Sequence, residues 1–152
     1  MPPPPAADPV SALEVAPDPA LDPAEPFGLH LMLDVYGADP EALRDAHALD
    51  GLLHALVERL GMHLIHPTVV VEVGPKYRKD PGGLSGFAMI AESHVSLHTF
   101  PRRRFATLDV YTCQPRLDLE MAQALIAARL GAAEVDAAVQ VRGRRYPPHD
   151  LV

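Results

Sequence analysis

Apolar positions along the chain follow two periods, one of a strand and one of a helix. Residues 29–36 form a mostly apolar run that stops at Gly37, which predicts a largely buried strand. Asp39-Pro40-Glu41 then reads as a helix start, with Asp39 as N-cap and Pro40 in the first turn. Leu43, Ala46, Leu49, Leu53, Leu56 and Leu60 recur behind it at helical spacing, up to Gly61. Residues 63–73 carry the β-branched run Thr68-Val69-Val70-Val71 and predict a second strand, followed by a turn-rich segment over residues 74–83. Residues 84–91, 95–100 and 105–112 predict three further strands. Residues 118–130, closed by Gly131, predict a second helix, and residues 134–141 a last strand. This order implies an α+β fold, a two-layer sandwich whose mainly antiparallel sheet carries its helices on one face.

Composition narrows where that domain lies. Residues 1–26 hold 9 of the 17 prolines and no Lys or Arg, a mixture that cannot bury enough apolar surface to offset its ordering entropy. They are expected to be a disordered tail preceding one domain over residues 27–152. A formal charge of −7 argues against general nucleic-acid binding, and the basic runs Arg102-Arg103-Arg104 and Arg142-Gly143-Arg144-Arg145 read as solvated turn ends. The one cysteine, Cys113, excludes an internal disulfide framework and a CxxC zinc site. With no apolar stretch near the roughly 20 residues of a membrane span, the expectation is a soluble cytoplasmic protein that binds neither membrane nor nucleic acid.

Strand register brings candidate chemistry together. If residues 95–100 and 105–112 form a hairpin around residues 101–104, opposed residue numbers sum to about 205. His98 then faces Thr107, Ser96 faces Asp109, and Ser93 lies near Thr112 and Cys113. The more polar face gathers Ser96, His98, Asp109 and Cys113. Ser93 and His98 differ by an odd number, so a bend or bulge over residues 93–95 is needed before they meet. Other candidates carry less: His63 and His66 form a His-x-x-His pair with too few partners for a metal, so no metal is expected. His30 reads as a hydrogen-bonded core residue, and Gly82-Gly83 with Gly86 as a turn without the strand-to-helix context of a phosphate loop.

Three motifs keep their spacing: Leu84-Ser85-Gly86, then Ala91-Glu92-Ser93-His94-Val95-Ser96-Leu97-His98-Thr99-Phe100-Pro101, then Leu108-Asp109-Val110-Tyr111-Thr112-Cys113. Together they resemble the short prokaryotic form of S-adenosylmethionine decarboxylase, from Phe27 to about Arg145. The resemblance implies a proenzyme that cleaves itself between Glu92 and Ser93. In that family the serine hydroxyl attacks the preceding carbonyl, and elimination and hydrolysis convert the serine into a pyruvoyl cofactor. Ser93 matches the pyruvoyl precursor, which would form a Schiff base with the substrate amine. His98 matches the processing base, Ser85 an assisting serine, and Cys113 the proton donor that quenches the carbanion after CO2 leaves. The family also implies a homodimer or higher oligomer that pairs sheets, and a role in polyamine and spermidine biosynthesis.

Two positions depart from the family pattern at the substrate. After Thr99-Phe100-Pro101, where an acidic residue would bind ribose hydroxyls, stands Arg102, which offers donors only. Six positions before Ser85, where an aromatic ring would stack on adenine, stands Lys79, with Tyr77 two residues away. The expectation therefore leans to L-ornithine or L-arginine as the amino-acid-type substrate, with Asp80 or Glu72 as candidate partner of a side-chain cation. S-adenosylmethionine is the alternative. A non-catalytic regulatory homologue would be expected to lack Ser93, His98 or Cys113, and all three are present.

Overall fold

The computed structural model describes residues 26–147 and 149–152. The expected disordered tail thus lies, but for its last residue, outside the described residues. Six strands form one sheet: β1 (Gly28–Tyr36), β2 (Val69–Val73), β3 (Gly83–Ile90), β4 (Ser93–Phe100), β5 (Phe105–Thr112) and β6 (Glu134–Arg142). Their order across the sheet is β2-β3-β4-β5-β1-β6, and every neighbouring pair is antiparallel. Two helices, α1 (Ala46–Arg59) and α2 (Leu119–Leu130), cover one face. The expected α+β two-layer architecture is the one observed.

Alternation makes one face of the sheet dry. Leu31, Leu33 and Val35 of β1, Val95 and Leu97 of β4, and Ala106, Leu108 and Val110 of β5 are buried against Leu49, Leu52, Leu53 and Leu56 of α1 and Ala122, Ile126 and Leu130 of α2. Each fully buried Leu or Ile contributes roughly 1.5–3 kcal/mol through removal of apolar surface from water. Among the described residues no helix lies over the opposite face. Met32, Val69, Val71, Phe87 and Met89 stand 39–50% exposed there. No helix among the described residues is long and apolar enough to cross a membrane.

The first helix differs from its expected start. Instead of running from Asp39, the chain makes a single 3-10 turn at Ala42–Arg44, and α1 begins afterwards with Asp45 as its N-cap, whose side chain accepts from the Ala48 N–H at 3.0 Å. Asp39 caps no helix and makes only a local contact ahead of the turn, accepting from the Glu41 N–H at 3.0 Å. Asp45 adopts extended angles, which interrupts the helix while Leu43 still reaches the core. The second helix follows expectation: Asp118 accepts from the Met121 N–H, and Gly131 ends it in the left-handed region at φ 56°. The strand expected over residues 63–73 is also shorter, because Pro67 cannot donate to a ladder. Only Val69–Val73 pairs with β3, and Leu64 makes an isolated bridge to Ile90.

Candidate active site

Strand β4 carries the candidate residues, and its pairing decides what each can touch. Ser93 opposes Thr112, Ser96 opposes Asp109 and His98 opposes Thr107, as the sum of 205 requires. On the other side His98 opposes Ser85 of β3, and Ser85 Oγ lies 2.9 Å from His98 Nδ1 on the helix-free face. Buried Thr99 braces this pair from behind: its hydroxyl donates to the Leu43 carbonyl at 2.9 Å and accepts from the Leu84 N–H at 3.0 Å. The start of β3 also presses on β4. A Cβ at Gly83 would lie 1.9 Å from the Thr99 carbonyl oxygen, so only glycine allows this approach.

At the other end of β4, the Glu92–Ser93 peptide sits in the turn that joins β3 to β4. Ser93 has φ 143°, a conformation that costs a residue with a Cβ about 1–3 kcal/mol. The Glu92 carbonyl oxygen accepts from the Cys113 N–H at 2.9 Å. The Glu92 carboxylate, 15% exposed, accepts from the His63 N–H at 3.0 Å and from His63 Nδ1 at 2.7 Å. Burial pushes this carboxyl up, but the hydrogen bonds from His63 and its charge outweigh that, and the net result lies below the ordinary carboxylate value. Cys113, just past β5, is an exposed free cysteine whose backbone N–H makes the contact to the Glu92 carbonyl.

These two clusters do not meet within one chain. The ladder from Ser93 to Phe100 is unbroken, so the bend or bulge expected near Ser93 is absent. Five residues of strand separate Ser93 from His98, about 16 Å at the usual rise. Ser93 and Cys113 are brought together; Ser85 and His98 form a second pair at the far end.

Between the clusters the helix-free face carries a further polar and aromatic group. His30 is not a core residue but a part-buried one on this face, with Nε2 2.9 Å from Asp109 Oδ1. The Arg142 guanidinium lies 4.9 Å from the centre of the Tyr111 ring, which also contacts His30 and His94. Burial, followed by the neighbouring His30, holds His94 below the ordinary histidine value; Asp109 opposes the shift and Arg142 adds to it. A cavity of about 440 Å³ beside the far end of β4 is lined by Arg102, Arg44 and Glu72, with Pro75, Pro81 and Gly83. Lys79 and Tyr77 are exposed on the loop between β2 and β3, outside that lining. Arg104, by contrast, is structural: its guanidinium donates to the carbonyls of Ala38 and Gly37. No three His, Cys, Asp or Glu among the described residues are grouped to hold a metal ion.

Known proteins similar to this chain include decarboxylase proenzymes. The sequence model described as S-adenosylmethionine decarboxylase matches residues 29–143. The S-adenosylmethionine decarboxylase proenzyme of Pyrobaculum islandicum is 40% identical over 111 residues, covering 72% of this chain and 83% of the relative. The arginine decarboxylase proenzyme of Ignicoccus hospitalis is 39% identical over 104 residues, 68% of either chain. The crystal structure of the adenosylmethionine decarboxylase of Aquifex aeolicus superposes with a TM-score of 0.63 at 30% identity, covering 79% of this chain and 93% of that one. With the fold, the spaced motifs and these relatives in agreement, the chain belongs to the S-adenosylmethionine decarboxylase family and is a decarboxylase of its pyruvoyl-dependent kind.

Proposed function

We propose that this chain cleaves itself between Glu92 and Ser93 and that the pyruvoyl group so formed from Ser93 is its cofactor. Support comes above all from the Glu92 carbonyl, which faces the Cys113 N–H while Ser93 is held at φ 143°. Attack of Ser93 Oγ on the Glu92 carbonyl carbon moves charge onto that oxygen, where the amide donor stabilises it. Collapse breaks the C–N bond and leaves an ester with a free Ser93 amine. Loss of the Ser93 α-proton then expels the Glu92 carboxylate, and addition of water with release of ammonia completes the pyruvoyl group. That group supplies an electron sink for the pair left behind when CO2 departs. Cys113 Sγ–H, beside the new chain start, returns a proton to the carbon that lost CO2.

A second copy completes this site. His98 and Ser93 lie about 16 Å apart along β4 by strand rise, so the base acting on one chain's Ser93 comes from its partner, with Ser85 bonded behind it. Pairing of the helix-free faces would bury the exposed Met32, Phe87 and Met89. Co-expression of His98→Ala with Ser93→Ala tests this arrangement. The His98→Ala chain is expected to be cleaved in the mixture and to stay intact alone; an intact chain in both would place the base within one protomer.

For the substrate, relatives named S-adenosylmethionine decarboxylase favour S-adenosylmethionine over the amino-acid preference drawn from Arg102 and Lys79. One observation keeps the second reading in play: Glu72 and Arg102 share a cavity, which suits a ligand with a cationic side chain and a carboxylate. The relative named arginine decarboxylase points the same way. Release of CO2 from S-adenosylmethionine, L-ornithine and L-arginine, measured side by side, is expected to be fastest with S-adenosylmethionine. Faster release from either amino acid reverses the order, and Glu72→Gln is then expected to lower its kcat/KM about tenfold or more.

A further inference from the structure

The Glu92 side chain is held as firmly as its carbonyl, although the chemistry of self-cleavage makes no use of it. Residues 63–65 run antiparallel beside the end of β3. The His63 carbonyl accepts from the Ala91 N–H at 2.8 Å, Leu64 bridges Ile90, and the Ile65 N–H donates to the Met89 carbonyl at 3.1 Å. This fixes the His63 backbone against the turn that contains the scissile peptide. From there its N–H and its ring Nδ1 each bond one oxygen of the Glu92 carboxylate, at 3.0 and 2.7 Å. The carboxylate is largely covered, whereas the imidazole is 77% exposed, so the ring contributes little packing and its contact with Glu92 is its main interaction.

We infer that His63 is a positioning residue for self-cleavage, holding Glu92 so that its carbonyl carbon meets the attacking Ser93 Oγ. The inference rests on the self-processing proposed above. A peptide carbonyl anchored only by the Cys113 N–H can still turn as the Glu92 Cα moves. Two bonds to the side chain remove that freedom and leave the acyl half of the scissile bond gripped from both sides. Ser93, between the grips, keeps its φ of 143°. Any residue at position 63 supplies the backbone N–H; only the ring bond depends on histidine. After scission the same contact holds Glu92 as a chain end that carries a second carboxylate.

Cleavage time courses of full chains made by pulse-labelled cell-free synthesis test this. His63→Ala is expected to slow cleavage about tenfold, less than the roughly 10²-fold of a 1 Å misplacement because the backbone N–H contact to Glu92 remains. His63→Asn, whose amide nitrogen stands where Nδ1 does, is expected to cleave within about twofold of the unaltered chain, while His63→Gln, with its amide one bond farther out, stays slow. In a Glu92→Ala background, His63→Ala is expected to add nothing, since the two changes remove one interaction. Unaltered cleavage in His63→Ala overturns the assignment, as does equal cleavage by the Asn and Gln variants or full additivity with Glu92→Ala. The Asn and Gln comparison stands even where the alanine variant does not fold. An unaltered protein that never cleaves would remove self-processing itself, whereas equal cleavage with and without the imidazole removes only the role of His63.

Discussion

Replacing Ser93 with alanine is expected to leave one intact chain of 152 residues, while the unaltered protein separates into residues 1–92 and 93–152. The substitution deletes one oxygen and little else. The β4 ladder, the Cys113 N–H to Glu92 bond and the His63 clamp all involve atoms other than Ser93 Oγ, so the folded chain keeps the geometry of the turn while losing the nucleophile. Without that oxygen no ester forms, and hydrolysis of an unactivated peptide is too slow to replace it. Intact-mass measurement reads the result directly: two fragments, the second blocked at its N-terminus, against one full-length species. A wild-type protein that stays whole under reducing, near-neutral conditions would refute the pyruvoyl mechanism. Because alanine also carries a Cβ at φ 143°, the variant retains the backbone strain, and its failure to cleave isolates chemistry from conformation.

Replacing Cys113 with alanine is expected to separate two roles that meet in one residue. Its backbone N–H faces the Glu92 carbonyl at 2.9 Å, and the residue is an exposed free cysteine. Alanine keeps the first and loses the second. Self-cleavage should therefore proceed within about twofold of normal, whereas decarboxylation should fall by about 10²-fold or more, the range for loss of a positioned proton donor. Products are informative as well as rates: a carbanion not quenched at carbon can take its proton elsewhere and inactivate the cofactor during turnover. Normal steady-state decarboxylation by the cleaved Cys113→Ala protein would exclude the thiol as donor. Loss of cleavage itself would show that the side chain acts earlier than proposed.

Much of the candidate site's strand register was legible in the sequence, and particular residues show why. Alternation of Ala106, Leu108 and Val110 with Thr107, Asp109 and Tyr111 assigns a face to every residue of β5, and a tight hairpin then fixes its partners on β4. The pairing of Ser93 with Thr112, next to Cys113, follows from that arithmetic alone. Helix punctuation was less legible. Asp39 and Asp45 are both good N-caps, and the apolar spacing runs through both, so only the packing of Leu43 and the extended angles at Asp45 distinguish a turn plus helix from one longer helix. His63 carried no usable signal: it lies 29 residues from Glu92, and a His-x-x-His spacing points toward metals rather than toward a carboxylate on another element.

What the sequence determined by itself is local and periodic: the six strands, the two helices, the dry and open faces, and the hairpin that sets Ser93 beside Cys113. Such features repeat every two or about 3.6 residues and need no knowledge of distant segments. Tertiary structure decided what the period cannot encode. It showed a straight β4 that keeps His98 and Ser93 about 16 Å apart by strand rise, and it brought His63 onto the Glu92 carboxylate. It also gathered Glu72 and Arg102 around one cavity. Each of these depends on how far a strand runs without a bulge, or on which loop the assembled sheet carries past its edge. Contacts across the sheet and its ends are fixed only when the whole sheet is built.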